Sequence, residues 1–520
     1  MADFIYDYNH ADLALTKFNN LYRKQVLLHK GLTVYHNDNI ISESNDTSQI
    51  IVIGFASVIN RNINEYLKEL LSNFTPDIIP QIKKELIGQY TTIIKIGDKA
   101  YIFSDFLQIR SIFYSFHDHL ISTSFETLYN ILGNNAAFVD KYKYHEFFTL
   151  KKCCYPGWMG NVTIDSRILR LREYEYLTVD LTTGNISVSD ITIKIDNTKI
   201  FDVNKLELLT LETLRNTTCY PEYKDKTIQT TLTGGFDSRL ITSIVHEYYP
   251  MATLRIATFK GVSSWDYYIA RKLSKIIGSS IKDYETDTSM EDLFFDLTDG
   301  LAPKENSIIT NLLLNANDCE LGFGGTFGTE LYSTLPFNTI DEVITSFSAK
   351  AKANIDEEIY VEQFIEAVKS EFDNISTHFI LKEHNERDII RLFLIINTSS
   401  FASQILSAYD IFGKQCEPIA TFPAIEEGLK IPYEYQGSST TFGRFYMIPK
   451  MIIKRINMDV GKVMAVHFCP MLPLSYRTAH RYITGKIRCK IYYAIKRIKQ
   501  RKAAPVTDDW DKGFLKKYHV

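Results

Sequence analysis

The spacing of hydrophobic positions differs between the first and second parts of the chain. In residues 1–190, short apolar and β-branched runs alternate with turn residues, which predicts strands. The clearest runs are 50–55, 90–96 and, after a Gly97-Asp98 turn, 101–103. Apolar residues at helical spacing predict helices only at 65–72 and 79–87. This pattern predicts a β-rich first region.

From about residue 200 the apolar residues recur mainly at helical spacing, with short buried strands between the helices. The predicted helices include 206–217, 355–373 and 386–407, and the predicted strands include 226–229 and 252–259. Strands that alternate with helices are typical of a parallel sheet covered by helices. The second region is therefore predicted to be α/β.

One stretch of the second region carries a candidate chemistry. The predicted strand at 226–229 is followed by a stretch that contains Thr233-Gly234-Gly235-Phe236-Asp237-Ser238, after which apolar residues continue at helical spacing. Glycines let backbone N–H groups approach an anion, and a helix N-terminus adds a favourable dipole. The hydroxyls of Thr233 and Ser238 can donate to phosphate oxygens, whereas the Asp237 carboxylate needs an intervening cation, for which Mg²⁺ is suited. The alternative is an ordinary Gly-Gly turn before a helix.

This stretch resembles the pyrophosphate loop Ser-Gly-Gly-X-Asp-Ser of the ATP-pyrophosphatase family, with Thr233 in the place of the first Ser. It is not a Walker loop, because no Gly-Lys-Ser/Thr follows. The resemblance implies that ATP is cleaved between its α and β phosphates and that a substrate is adenylated. It also implies that ATP or pyrophosphate is bound by Leu232, Thr233, Gly234, Gly235, Asp237 and Ser238, together with Gly325 and Gly328 of a later glycine-rich stretch.

The next predicted strand, 252–259, and the helix after it extend the resemblance. The family holds adenine at the end of this strand, where Thr258 and Phe259 fall; the alternative is an ordinary strand end. In the following helix, Asp266 is expected to cap the helix, with contact to the nucleotide as the alternative. Gly278 suits the C-terminal end of this helix.

A second glycine-rich stretch, 320–331, falls where the family has Ser-Gly-X-Gly-X-Asp-Glu with a second Mg²⁺-binding Asp. Alignment on Gly325 or Gly328 replaces this Asp by Thr329 or Glu330. Glu330 is the expected metal ligand, because Thr329 would bind only weakly. A glycine-rich turn without a ligand role is the alternative.

Two further segments resemble the family near the end of this region. Residues 417–432 are similar to the segment that carries a strand end over the active site. Residues 444–454 are similar to the helix start whose Lys stabilises charge on the phosphates during adenylation, which implies a catalytic role for Lys450, with Lys454 as second choice. The alternative is a helix with surface lysines.

The first region, through 86–90, Asp105, 110–114 and 121–126, is similar to the glutamine-amidotransferase domain of asparagine synthetases. That domain uses a Cys directly after the initiator Met, but here Ala2 follows Met1 and the first cysteine is Cys153. We therefore expect no glutaminase activity. A retained scaffold is the expected role, and a surface that recognises a substrate or partner is the alternative.

Composition narrows the functional class. The 520 residues suffice for two or three domains, and a net charge of −4 gives no reason to expect nucleic-acid binding. The chain has neither a signal-peptide pattern nor an apolar run of spanning length, and its seven cysteines show no paired motif. We therefore expect a cytoplasmic protein, and the sequence leaves open whether it forms a homodimer.

The C-terminal segment is strongly basic, although the chain as a whole has a net negative charge. Residues 485–502 carry eight basic residues, and Ile487, Ile491, Ala494, Ile495 and Ile498 lie on one helical face. Such a helix can lie on an anionic membrane or bind an acidic partner. The alternative is a terminal helix packed on the protein with a solvated basic face.

Together these resemblances identify an asparagine synthetase-type protein. They imply an α+β Ntn-hydrolase-like sandwich (1–190), a doubly wound α/β ATP-pyrophosphatase domain with a helical C-terminal part (200–480), and a basic helix with a tail (481–520). The implied activity is ATP- and Mg²⁺-dependent adenylation of a carboxylate for attack by an amine, as in β-lactam synthetases and lasso-peptide cyclases. The substrate would be a small molecule or a peptide. A nucleotide-binding scaffold without catalysis is the alternative.

Overall fold

The fold is mixed α/β. The computed structural model of the chain describes residues 4–7, 24–29, 32–36, 40–133, 135–154, 157–256, 264–283, 319–333, 337–410, 414–436, 446–465 and 471–500. Thr258 and Phe259, which were predicted to contact adenine, lie outside the described residues.

The strands fall into two groups, before and after residue 200. In chain order they are β1 (Phe4–Asp7), β2 (Lys24–His29), β3 (Leu32–His36), β4 (Ile40–Ser44), β5 (Ser48–Val58), β6 (Leu86–Ile96), β7 (Lys99–Ser104), β8 (Phe113–Ser115), β9 (Leu120–Ser122), β10 (Leu169–Arg170), β11 (Glu175–Asp180), β12 (Ile186–Asp190), β13 (Ile193–Ile195), β14 (Ile228–Leu232), β15 (Thr253–Ile256), β16 (Ile281–Asp283), β17 (Leu321–Phe323), β18 (Phe379–Leu381) and β19 (Lys414–Cys416).

Most of the helical residues follow residue 200. The α-helices are α1 (Ile63–Asn73), α2 (Ile79–Glu85), α3 (Phe125–Ile131), α4 (Lys141–Cys153), α5 (Val203–Thr218), α6 (Asp237–Tyr248), α7 (Ser264–Ile277), α8 (Gly328–Tyr332), α9 (Ile340–Asn354), α10 (Glu358–His378), α11 (Glu386–Asp410), α12 (Phe422–Leu429), α13 (Met447–Ile456), α14 (Met458–Lys462) and α15 (Ala479–Gln500). Helix α2 ends two residues earlier than predicted, because Leu86 already pairs with Val58 in the β5–β6 ladder.

The first region forms two six-stranded sheets, in the orders β10-β8-β9-β1-β3-β2 and β12-β11-β7-β6-β5-β4. Strand β5 is buried on both faces. Ile51 and Ile53 pack in a cluster that includes Tyr114 of the other sheet, whereas Ile50 and Val52 pack in a cluster shared with the second region. The second sheet therefore lies between the first sheet and the α/β region, which explains why β5 lacks an alternating polar face.

The second region contains a five-stranded sheet in the order β16-β15-β14-β17-β19, and all of its strand pairs are parallel. The central strand β14 has its successor β15 on one side and the later strand β17 on the other. The strand order therefore reverses between β14 and β17. In open parallel sheets, ligands bind beside the carboxyl ends of the strands at such a reversal.

The two regions share contacts as well as a core. Strand β13 pairs in parallel with β18, and the Ser111 and Ser403 hydroxyl oxygens lie 3.0 Å apart. The Glu417 N–H donates to Gln89 Oε1 at 3.2 Å, which joins strand β6 to the residue that follows β19. Among the described helices, none has the length and apolar character that crossing a bilayer requires.

Candidate functional site

A cavity of about 380 Å³ opens at the carboxyl ends of β14, β17 and β19, where the strand order reverses. The loops after β14 and β17 form two of its walls, and helix α11 forms another. The lining residues are Thr231, Thr233, Gly235, Asp237, Ser238, Gly324, Gly325, Thr326, Phe327, Thr329, Glu330, Thr398, Ala402, Leu406, Gln415 and Glu417.

The loop after β14, which we call the first glycine loop (233–238), is held by its own hydroxyls. The Ser238 Oγ accepts from the Thr233 N–H at 3.1 Å and lies 2.8 Å from Thr233 Oγ1. The Gly235 N–H donates to Thr233 Oγ1 at 3.2 Å. Helix α6 begins at Asp237, so the positive end of its dipole faces this loop. The two hydroxyls therefore fix the loop in a shape suited to an anion.

The loop after β17, the second glycine loop (324–330), packs directly on the first. A Cβ on Gly325 would lie 2.7 Å from the backbone carbonyl carbon of Asp237 and from the Ser238 nitrogen. A Cβ on Gly328 would lie 2.2 Å from Asp237 Oδ1. These two glycines are required because side chains there would separate the loops.

Asp237 lies where the two loops meet. Its Oδ2 accepts from the Tyr446 hydroxyl at 3.4 Å and from the Thr329 hydroxyl at 3.5 Å. Its Oδ1 is buried and has no hydrogen-bond partner among the described residues. Burial raises the pKa of the Asp237 carboxyl to about 7, and the charge of Glu330 adds to this increase while the two hydroxyls oppose it.

The donor set fits Mg²⁺ in association with phosphates better than it fits a metal held by protein alone. Within the described part of the chain, no group of three or more His, Cys, Asp or Glu residues is placed to hold a metal ion. Asp237 and Glu330 supply two carboxylates, and within the described part of the chain Asp237 Oδ1 is an acceptor without a donor. Mg²⁺ commonly takes one or two carboxylates and completes its shell with phosphate oxygens and water.

Tyr446 joins helix α13 to both loops, a role that the sequence did not reveal. It precedes α13 with a left-handed backbone, at φ 54°. Its ring stacks on Phe236 of the first loop at 4.6 Å, and its hydroxyl donates to Thr329 Oγ1 of the second loop at 2.8 Å. Tyrosine has no special tendency for this conformation, so only the tertiary contacts reveal its role.

Glu417 is a second residue whose role the sequence did not reveal, although residues 417–432 were expected near the site. Its side chain is buried and accepts the Thr326 N–H at 2.8 Å and the Gln415 amide at 3.1 Å. A Cβ on Gly324 would lie 2.0 Å from Glu417 Oε1. Glu417 thus holds the beginning of the second glycine loop, whereas Asp237 contacts its later glycines.

Arg239 supports the first glycine loop from behind. This fully buried guanidinium donates to the Gly234 carbonyl at 3.2 Å and to the Val463 carbonyl at 2.6 Å. It therefore fixes the backbone at Gly234 and joins α6 to the segment after α14. An Arg directly after the Asp-Ser pair was visible in the sequence, but its partner Val463 is more than 200 residues away.

The two candidate lysines differ in their surroundings. Lys450 is buried on α13, where its Nζ donates to the Tyr482 hydroxyl at 3.3 Å and lies 5.5 Å from the centre of the Phe236 ring. Lys454, one turn later, is exposed. Neither is among the described residues that line the cavity. Lys450 therefore stands behind the first loop, and Lys454 faces away from it.

The structure brings most of the other predicted residues to one place. Thr233, Gly235, Asp237, Ser238, Gly325 and Glu330 line the cavity. Leu232 ends β14 in the core, Gly234 is held by Arg239, and Gly328 contacts the Asp237 carboxylate. The described lining contains three carboxylates, Asp237, Glu330 and Glu417, but no Lys, Arg or His. An anionic ligand in this cavity would therefore need a cation beside it.

No model of a known protein family matches the chain, and no curated protein matches it. Among solved structures, the chain is similar to glutamine phosphoribosylpyrophosphate amidotransferase from B. subtilis in complex with ADP and GMP. The identity is 9% and the TM-score 0.21, over 49% of this chain and 77% of that chain. At this level of similarity, inferences about function depend on the residues of the site.

Proposed function

We propose that the protein is an ATP-dependent ligase that adenylates a substrate carboxylate for attack by an amine and releases AMP and pyrophosphate. In this proposal the first region is an Ntn-hydrolase-like sandwich without glutaminase activity, and residues 200–480 are a doubly wound ATP-pyrophosphatase domain. The amine belongs to a small-molecule or peptide substrate rather than to glutamine, since the first 152 residues contain no cysteine. The need for ATP favours a cytoplasmic location.

One observation carries the proposal: the first glycine loop lies at the reversal of strand order and faces a second glycine loop across Asp237. The hydroxyls of Thr233 and Ser238 offer donors for a pyrophosphate. Asp237 and Glu330 would hold Mg²⁺, which would neutralise phosphate charge when bound. A triphosphate gripped at its β and γ phosphates leaves its α-phosphorus open to attack by a carboxylate oxygen.

The residues around the loops would orient the reacting groups. Arg239 fixes the first loop from behind, and Glu417 holds the second loop within the cavity lining. The donors therefore need little reorganisation when charge develops in the transition state. Lys450, which lies behind Phe236, would stabilise that charge from outside the cavity lining or after a change of rotamer. Helix α11 contributes Ala402 and Leu406 as an apolar wall that limits the access of water.

The test is to identify the products of ATP turnover. The purified full chain is incubated with α-labelled ATP, Mg²⁺ and a panel of carboxylate and amine compounds, and the nucleotides are separated. Formation of AMP and pyrophosphate, lost in Asp237→Ala, supports the proposal. Formation of ADP and phosphate contradicts it, because the attack would then fall on the γ-phosphorus, with ADP as the leaving group.

A second candidate function, a nucleotide-binding scaffold without catalysis, is favoured by the absence of a Lys, Arg or His from the described cavity lining. In that case Mg²⁺-dependent ATP binding persists while AMP does not form with any acid or amine. Binding calorimetry with a non-hydrolysable ATP analogue, with and without Mg²⁺, separates this outcome from a protein that binds no nucleotide.

A further inference from the structure

Helix α15 carries an apolar stripe on the side that faces away from the rest of the protein. Ile483, Ile487 and Ile491 have 55%, 53% and 54% of their surface exposed. With successive residues about 100° apart, these three occupy one narrow strip of the helix surface. Tyr482 and Gly485, which are buried, lie on the opposite side. The isoleucines are therefore not the packing face of this helix.

Hydrogen bonds attach the beginning of α15 to the rest of the protein. The Tyr482 hydroxyl donates to the Leu472 carbonyl at 2.6 Å, and Arg481 donates to the Lys462 carbonyl at 2.8 Å. Beyond Gly485, the residues of α15 whose side chains are described are all exposed: Lys486, Ile487, Arg488, Lys490, Ile491 and Ala494. Among the side chains of α15 that the structure describes, the buried ones thus all lie in the first two turns.

The charges of α15 are of one sign. The helix contains seven basic residues and no acidic residue: Arg481, Lys486, Arg488, Lys490, Lys496, Arg497 and Lys499. The chain as a whole has a net charge of −4, so this helix concentrates positive charge against the overall balance. By helical spacing, Lys486 and Lys490 border one edge of the isoleucine stripe, and Arg488 lies beyond the other.

We propose that the outward face of α15 binds an anionic membrane surface, with the helix lying in the plane of the bilayer interface. An apolar strip with basic edges matches this environment, because the isoleucines enter the acyl boundary while the lysines reach the headgroups. An acidic protein surface would complement the charges but would leave the projecting isoleucine strip in water unless it also offered an apolar groove. The attached first turns would bring the rest of the protein to the membrane.

The experiment is flotation of the full chain with vesicles of phosphatidylcholine alone or mixed equally with phosphatidylserine. We expect binding to the mixed vesicles only, weakened at high salt because screening shortens the reach of the charges. Ile487→Ser should weaken this binding about tenfold or more, from the loss of one buried side chain. Lys486→Gln should weaken it about fivefold.

Matched controls come from other exposed helices. Ile359→Ser in α10, where the isoleucine is 57% exposed, and Lys352→Gln in α9 should leave vesicle binding unchanged. Equal binding to both kinds of vesicle, or equal effects of the Ile487 and Ile359 substitutions, overturns the proposal. So does light scattering that shows a dimer lost in Ile487→Ser together with no vesicle binding, since a second copy would then cover the stripe. None of these readouts depends on ATP turnover.

Discussion

The two glycine loops follow neighbouring parallel strands, yet their glycines meet different needs. A Cβ on Gly235 of the first loop would approach only Thr233 Oγ1, at 3.3 Å. Cβ atoms on Gly325 and Gly328 of the second loop would collide with Asp237. The first loop thus has room at Gly235 for a ligand, whereas the second uses its glycines to reach the first. Similar composition therefore does not imply a similar role.

The largest expected effect is that of substituting Lys450, whose ammonium group lies behind the first glycine loop. If the ligase proposal holds, Lys450→Met should lower the rate of AMP formation about 10²–10³-fold, because a fixed positive charge is lost from the transition state. The Michaelis constant for ATP should change less. Steady-state kinetics with labelled ATP measures both constants.

Lys454→Met is the matched control, since Lys454 is exposed one turn away on the same helix. It should leave the rate of AMP formation unchanged. If Lys454→Met lowers the rate and Lys450→Met does not, the catalytic charge lies one turn further along α13. Equal rates in all three proteins would favour the scaffold.

Substitution of single glycines tests the contrast between the loops directly. Gly325→Ala should lower the free energy of unfolding by about 1–3 kcal/mol, because its Cβ meets fixed backbone atoms of the first loop. Gly235→Ala should change it by less than about 1 kcal/mol and should instead weaken ATP binding. Urea denaturation and calorimetry measure the two quantities. Similar destabilisation by both substitutions would contradict the proposed difference between the glycines of the two loops.

The carboxylate between the loops predicts a pH dependence. Because the pKa of Asp237 is raised to about 7 in the folded state, the folded protein retains a proton that the unfolded chain has lost above pH 4. Stability should therefore fall as pH rises from about 4 to 7, with a limiting slope of about 1.4 kcal/mol per pH unit from this group.

In Asp237→Asn this contribution should disappear, so the difference in unfolding free energy between variant and parent should change by roughly 2 kcal/mol between pH 5 and 7. Asp356→Asn, an exposed carboxylate near α10, is the control and should leave the slope unchanged. Metal-free denaturation at several pH values gives the slopes. A parallel pair of curves for Asp237→Asn and the parent would show that the carboxyl is already ionised at pH 5.

The smallest expected effect comes from the hydroxyl that bridges the loops. Tyr446→Phe keeps the ring on Phe236 but removes the donor to Thr329 and Asp237, which should cost about 1 kcal/mol of stability. Tyr476→Phe, at a residue 83% exposed, should be neutral. If thermal and urea unfolding show no difference between these two variants, Tyr446 does not join the loops in solution.

Features of the two glycine loops that depend on nearby residues were predictable from the sequence. The strand, turn and helix around the first loop depend on residues within about a dozen positions, and the structure has β14 and α6 there. The predicted Gly97-Asp98 hairpin and the C-terminal end of α7 at Gly278 are equally local and are also present. The expected cap at Asp266 was wrong, because α7 begins at Ser264 and Asp266 lies inside it. The spacing of apolar residues and the residue types in turns are sufficient to predict such elements.

Features that depend on distant partners were not predictable in this way. Nothing near Tyr446 or Glu417 in the chain indicates that they hold the second glycine loop, and the choice between Thr329 and Glu330 could not be made by alignment. Here the Thr329 hydroxyl bonds to Asp237 while Glu330 lines the cavity and acts on Asp237 through its charge. Thr258 and Phe259 remain predictions.

The shared core between the two regions has a practical consequence for dissecting the protein. A chain that begins near residue 200 would lose the partners of its apolar surface, including Ile50 and Val52, and would leave Glu417 without Gln89. Helix α11, which walls the cavity, would lose its contact with Ser111. Truncation would therefore damage the cavity itself. A separate role for the first region is better sought by point substitutions on its solvent-facing side.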